Sequence, residues 1–249
     1  MTRLKASLIH LSISAIIATA VLALMLLVWY PYPLFEAVGG QQVLMILLWV
    51  DVTLGPLVTL IIFNTKKSRK ALTFDLAFIA TTQVAALIYG MSVVFQARPV
   101  YMVFSRDSFD LVTANMLSDK DIVKAQYPEY LTLPLTGPVY VYTEMPTDIK
   151  ESSEVKVSLL SGKDLPQFPQ YYQPFSKHKA VVAREAKPIA DLKKLNPEHV
   201  LEIDEAVRNS GQSEADLGYF PLKASEKDLA VLVRKNDGHV LKMLTMRPW

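Results

Sequence analysis

The chain has 249 residues, a formal net charge of +2 and no cysteine. The near-neutral balance argues against nucleic acid as a partner, and the missing cysteine excludes disulfides, thiol redox chemistry and cysteine-based zinc sites. Mean hydropathy is +0.23, but the apolar content is concentrated at one end. Residues 1–95 carry nine charged side chains, whereas residues 96–249 carry forty-one, twenty Lys/Arg against twenty-one Asp/Glu. The chain therefore divides into a membrane unit, 1–95, and a polar domain, 96–249, large enough to form its own core.

A helix crosses a bilayer with ~20 apolar residues. Three runs meet that length, at about Ala6–Trp29, Val43–Phe63 and Leu72–Phe95. The first begins after Arg3 and Lys5 and contains Ala18-Thr19-Ala20, which imitates a signal-peptide cleavage site. The apolar run continues past that site, so an uncleaved anchor is expected. Arg3 and Lys5 precede the first run, and Lys66, Lys67, Arg69 and Lys70 separate the second and third. The segment between the first two runs has no Lys or Arg. The positive-inside rule then places the N-terminus in the cytoplasm and residues 96–249 on the opposite side. Trp29, Tyr30 and Tyr32 fit an aromatic belt at the outer interface.

Polar groups inside such runs are costly and call for a partner. Asp51 interrupts the second run. It either fixes helix packing, helped by close approach at Gly55, or touches another membrane segment. Pro56 is expected to bend this helix about a turn beyond Asp51. Ser7, His10 and Ser14 share one face of the first run. For His10 an interhelical hydrogen bond is the favoured role, with contact to a partner as the alternative. Asp75 is expected near the start of the third helix, where a carboxylate complements the helix dipole.

The polar part starts without a linker. Arg98–Phe104 alternates as a strand. Ser118 with Asp121 resembles a capping box opening a short helix through Ala125. Gly137–Pro146 reads as a strand, and Asn196-Pro197-Glu198 as the cap and first positions of a helix. In that helix Val200, Ile203 and Val207 form the buried stripe, and Gly211 is the stop. Asp237-Gly238 joins two terminal strands as a hairpin. The expected fold is three transmembrane helices followed by an α+β domain with mainly antiparallel strands. The proline-rich stretch Asp164–His178 is expected to run as an extended surface loop. Its Phe168, Tyr171, Tyr172 and Phe175 either pack back on the sheet or form a lip that binds a partner.

His178, His199 and His239 are too scattered to suggest a metal motif. Phosphate-binding glycine loops and a GxSxG nucleophile turn are missing from the sequence. No catalytic residue, metal or cofactor is therefore expected, and an enzyme is disfavoured.

Five segments together resemble a known family: RLKASLIHLSIS, VWYPYPLFEAVGG, DVTLGPLVTLIIFN, LTFDLAFIATTQVAALIYG and QARPVYMVFSRDSFDLV. They are similar to the TfpX/TfpZ type IV pilin accessory proteins of Gram-negative bacteria, over about residues 3–113. The resemblance implies a multi-pass inner-membrane protein with a periplasmic C-terminal domain. Its role would be that of a chaperone or assembly modulator in the biogenesis of a cognate type IV pilin. The implied partners are the major pilin, through its transmembrane helix and its head domain, the lipid bilayer, and other pilus assembly components. In such pilins a buried glutamate lies near the N-terminus, which gives His10 and Asp51 a reason to sit at membrane depth. A membrane-anchored periplasmic sensor or ligand-binding protein is the alternative reading.

Overall fold

The structure, a computed structural model, describes residues 2–64 and 67–249, without the side chains of Val43, Leu47, Val50 and Asp51. The Asp51 carboxylate and Lys66 lie outside these described residues.

Helix α1 spans Arg3–Leu24 and continues as a π-helical turn, Met25–Trp29. The Thr2 hydroxyl accepts from the Lys5 amide at 3.2 Å, satisfying one of the N–H groups that a helix start leaves unpaired. Tyr30 leaves helical geometry at φ −128°, ψ 64°, and Pro31 and Pro33 follow. A single turn, α2 (Leu34–Ala37), leads into α3 (Gly40–Leu48). A π-helical turn, Trp49–Leu54, connects α3 to α4 (Gly55–Ile62). Pro56 has no N–H to offer the carbonyl four residues back, that of Val52, and its ring crowds that group. The wider turn absorbs the mismatch. The irregularity therefore encloses Asp51 instead of falling a turn beyond it.

Helix α5 runs from Arg69 to Gln96, with Ser68 Oγ accepting from the Ala71 amide at 3.3 Å. Asp75 sits in its second turn and pairs with Lys67 at 2.5 Å, so an ion pair, not the helix terminus, accounts for its position. Arg3–Trp29 and Arg69–Gln96, of 27 and 28 residues, are each long and apolar enough to cross a membrane. The middle run offers a shorter apolar helix, Val52–Ile62.

Beyond α5 the chain forms a mixed α+β domain. Its strands are β1 (Pro99–Ser105), β2 (Ser108–Thr113), β3 (Val139–Thr143), β4 (Gln173–Pro174), β5 (Lys187–Pro188), β6 (Leu217–Lys223), β7 (Leu229–Arg234) and β8 (His239–Leu244). Their order is β4-β3-β1-β2-β6-β7-β8, with β5 also paired to β6. Most pairs are antiparallel, but β1 with β3 and β2 with β6 are parallel. All seven residues of β1 are buried, as expected for a central strand covered on both faces. Met102 and Phe104 enter one core cluster, and Val100, Tyr101 and Val103 another. The DG hairpin is present: Gly238 adopts φ +65° between β7 and β8.

The helices of this domain are α6 (Asp119–Ile122), α7 (Ile149–Ser158), α8 (Phe175–Glu185), α9 (Ile189–Leu195) and α10 (Val200–Asn209). In α6 Ser118 Oγ donates to the Asp121 carboxylate at 2.5 Å. The helix ends at Ile122, short of Ala125. In α10 Ile203 and Val207 are buried and Val200 is partly so, with Gly211 at φ +68° past the end. Asn196 stands, as expected, at the N-cap position of a 3₁₀ turn, Pro197–His199, that runs into α10, but its side chain does not make the capping bond. Its amide donates to the carbonyls of Leu192 and Arg247, and its oxygen accepts from the Arg247 amide. It pins the residues after β8 to the end of α9.

The segment between α1 and α3 belongs to the core of the α+β domain. Leu34 and Ala37 are fully buried among Phe104, Phe109, Phe220 and Val231. The amides of Glu226 and Lys227 both donate to the Ala37 carbonyl, at 3.0 and 3.2 Å. Gly39, at φ +74°, lies where a Cβ would come within 2.7 Å of Glu226 Cγ. Tyr30 is buried and donates to the Val94 carbonyl at 2.6 Å. The C-terminal ends of α1 and α5, and the loop between α1 and α3, thus form one packed unit with the sheet.

Candidate functional site

The helical part contains a polar junction joining three helices. His10 of α1 lies with Nδ1 2.6 Å from Thr59 Oγ1 of α4 and Nε2 2.7 Å from Gln83 Oε1 of α5. An amide oxygen only accepts, so Nε2 carries the proton. In the neutral ring Nδ1 then accepts from the Thr59 hydroxyl. Ser7, one turn earlier, donates to the Pro56 carbonyl at 2.9 Å. Gly55 makes the junction sterically possible: a Cβ there would sit 2.0 Å from Gln83 Nε2 and 3.3 Å from His10 Nε2. Ala6, Ser14 and Ala18 continue the buried face of α1, small residues that let helices approach.

Beside this junction lies an apolar cleft of about 370 Å³ between α1 and α5, with Thr59 and Phe63 at its floor. It extends from Ala6 to Ala18 along α1 and from Leu76 to Leu87 along α5. From Ala6 to Ala18, twelve steps along the helix, α1 rises ~18 Å, about the length of three helical turns of a facing helix. His10 and Gln83 also line the cleft. Both nitrogens of His10 are engaged within the protein, so the structure gives it the interhelical bond expected from the sequence. The Gln83 side chain, paired to His10 through its oxygen, also faces the cleft. Thr59 and Gln83 escaped the sequence reading, although a glutamine inside an apolar run is a signal of the same kind as Asp51.

The proline-rich stretch is not an extended loop. It forms two 3₁₀ turns, Leu165–Gln167 and Pro169–Tyr171, each with a proline in its first turn, and then enters α8 at Phe175. Tyr172 is fully buried, donates to the Pro166 carbonyl and packs its ring 5.2 Å from Tyr101. Burial pushes its hydroxyl well above the usual tyrosine pKa. Phe175 is buried 6.0 Å from the Phe109 ring. These two aromatics are core residues and leave the lip to the other pair.

Phe168 and Tyr171 are only partly buried. Their rings lie 6.2 Å apart, with the Lys163 ammonium 4.3 Å over the Phe168 ring. Lys163 is held by Asp121 at 2.7 Å. Tyr171 borders a polar cleft of about 230 Å³ that also includes Glu144, Asp148 and Glu151. Desolvation and the nearby Glu151 and Glu154 raise its hydroxyl pKa. His178 stacks on Tyr142 at 3.9 Å, and its Nε2 lies 2.8 Å from Gln173 Oε1. Among the described residues, no group of three His, Asp or Glu side chains gathers as a metal site would require.

Comparison with known proteins places this architecture. The first 39 residues match the family model of the fimbrial assembly protein FimB. The fimbrial assembly protein of serogroup E1 of Dichelobacter nodosus is 28% identical over 234 residues, 93% of this chain and 91% of that protein. Its serogroup I counterpart is 27% identical over the same shares. The protein of serogroups C1 and C2 is 35% identical over 125 residues, half of this chain and 92% of that protein. No solved structure matches. With identity at this level over nearly the whole of a relative, the chain belongs to the FimB family of fimbrial assembly proteins.

Proposed function

We propose that the protein is an inner-membrane accessory factor that holds a cognate type IV pilin before its assembly into the fibre. In this reading α1, the α3–α4 run and α5 all cross the membrane. The N-terminus is cytoplasmic and the sheet domain periplasmic. The observation that carries the reading is the cleft between α1 and α5. It is apolar and shaped for a helix, and it lies toward the ends of α1 and α5 that begin with Arg3 and Arg69. On the proposed topology those ends face the cytoplasm, the side on which a membrane-held pilin begins. The pilin's apolar helix fills the cleft, and the Gln83 amide supplies a hydrogen-bonding group at membrane depth. Phe168 and Tyr171 then form the periplasmic contact with the pilin head.

Two experiments test this. Alkaline-phosphatase fusions after Glu36 and Trp249 should be active and a fusion after Ser68 inactive; activity at Ser68 or its loss at Trp249 overturns the topology. Photo-crosslinkers at Ile13 and Val84 in the cleft, and at Tyr171 outside, should capture co-expressed pilin. Crosslinks confined to lipid and to the protein itself would refute the pilin-holding role.

A further inference from the structure

The stretch Tyr130–Thr143 contains no charged residue, in a region where forty-one of 154 residues are charged. In its last part, β3, Val141, Tyr142 and Thr143 are buried. In the loop before them and at the first position of β3, apolar side chains turn outward: Leu131, Leu135 and Val139 are 44%, 68% and 43% exposed. Such exposure is unusual for large aliphatic groups clustered in one loop and marks an interaction surface.

The surroundings fix where this loop lies. The Arg98 side chain, almost fully buried, donates through Nε and Nη2 to the Pro134 carbonyl at 3.1 and 3.0 Å. Its Nη1 donates to the Phe95 carbonyl at 2.7 Å, and the guanidinium lies 3.7 Å over the Phe95 ring. At the other side a Cβ on Gly137 would be 3.0 Å from Pro31 Cγ and 3.8 Å from the Val28 carbonyl. The loop is therefore clamped to the outer ends of both α1 and α5. Trp29 and Phe95 pair there at 5.2 Å, and Tyr32 is 76% exposed. If α1 and α5 span a bilayer, this is the level at which they leave the hydrocarbon.

We infer that Leu131–Val139 is a membrane-embedded lip, its leucines seated in the outer leaflet beside the α1 and α5 ends. Continuity with the apolar surfaces of those helices selects lipid over a soluble partner. The lack of charge lets the loop enter the interface without desolvating an ion, and Pro134 and Pro138 reduce the number of backbone amides that need a partner there. The lip would tie the domain to the membrane at a third place, besides the two helix ends.

This inference rests on the spanning reading of α1 and α5. The cysteine-free chain allows single labelling sites in the full-length protein, Leu135→Cys and, in the middle of α5, Val84→Cys. Each variant is labelled with an environment-sensitive fluorophore and reconstituted without pilin into phosphatidylcholine vesicles. A fraction of the lipid carries a spin label near the head of its acyl chain. Blue-shifted emission is expected from both probes, with quenching by the spin-labelled lipid and several-fold weaker quenching by aqueous iodide than for the free dye. If the Val84 probe is quenched by lipid while the Leu135 probe responds to iodide like the free dye, the lip lies in water. The inference then fails, and the surface is left to a protein partner. If neither probe senses lipid, the spanning reading itself falls, and the inference with it.

Discussion

Leu34→Ala is expected to destabilise the outer sheet although residue 34 lies in the loop between the first two helical runs. The side chain is fully buried in the cluster that contains Phe104, Phe109, Phe220 and Val231. Truncating a buried leucine costs ~2–5 kcal/mol, the spread reflecting how far the neighbours collapse into the space left. The ring-rich surroundings, with Phe104 and Phe220 at 4.9 Å in an edge arrangement, are rigid and collapse poorly, which favours the upper part of that range. Typical domains are stable by ~5–15 kcal/mol, so the loss is a large share of the total. The assay is hydrogen exchange by mass spectrometry on full-length protein in lipid nanodiscs, read on peptides covering β1, β6 and β7. At 1.4 kcal/mol per tenfold, protection of these amides should fall by roughly 30-fold to 4000-fold. Leu201→Ala, at a position 83% exposed, is the control and should change little. Unchanged protection of the three strands in Leu34→Ala would refute the placement of the loop in the core.

Two further outcomes are expected. Thr59→Val removes the hydroxyl that faces His10 while keeping the shape, and should lower the stability of the helical part in detergent by ~0.5–1.7 kcal/mol. Thr82→Val, whose hydroxyl bonds only to the Phe78 carbonyl of its own helix, should leave it unchanged, and equal effects at the two sites would remove the special role of the junction. Asp110, on β2, has its pKa pushed up to about 6 from 3.8, chiefly by burial and partly by Asp164, against the opposing effects of Lys223, Ser105 and Arg106. The folded state therefore holds the proton more tightly than the unfolded chain, and stability from this group is full below about pH 4 and declines as pH rises through about 6. Asp110→Asn should melt higher than the parent at pH 7 and converge with it near pH 4. Parallel melting curves across that range would contradict the raised value.

The apolar helices were legible because hydropathy sums over twenty residues and needs no tertiary information. The hairpin at Gly238 and the stop at Gly211 were legible because a positive φ favours glycine locally. The parallel pairing of β1 with β3 and of β2 with β6 was not, since it depends on long connections that leave no pattern in either strand. The burial of Leu34 and Ala37 in the sheet core was not legible, because nothing local distinguishes a loop that stays at a helix end from one that enters a distant core. For Tyr172 the sequence left packing on the sheet and a surface lip both open; the packing is decided by Pro166, whose carbonyl accepts from the buried hydroxyl. At the polar junction His10 was found from sequence, but its partners Thr59 and Gln83 are 49 and 73 residues away, and only the packing of three helices identifies them.

The insertion of Leu34 and Ala37 into the sheet core also sets an order of events during synthesis. Their neighbours Phe220, Leu229 and Val231 are made almost two hundred residues later. At the translation rates of ~5–20 residues per second typical of cells, that interval lasts ~10–40 s. Throughout it, the loop's apolar side chains lack these partners and have those of β1, β2 and β3, and β2 waits for β6 to extend the sheet beside it. The core of the sheet domain is therefore completed late, once β6 and β7 have been made. Until the turn between β6 and β7 arrives, the Ala37 carbonyl also lacks the amides of Glu226 and Lys227 that tie the loop to the domain.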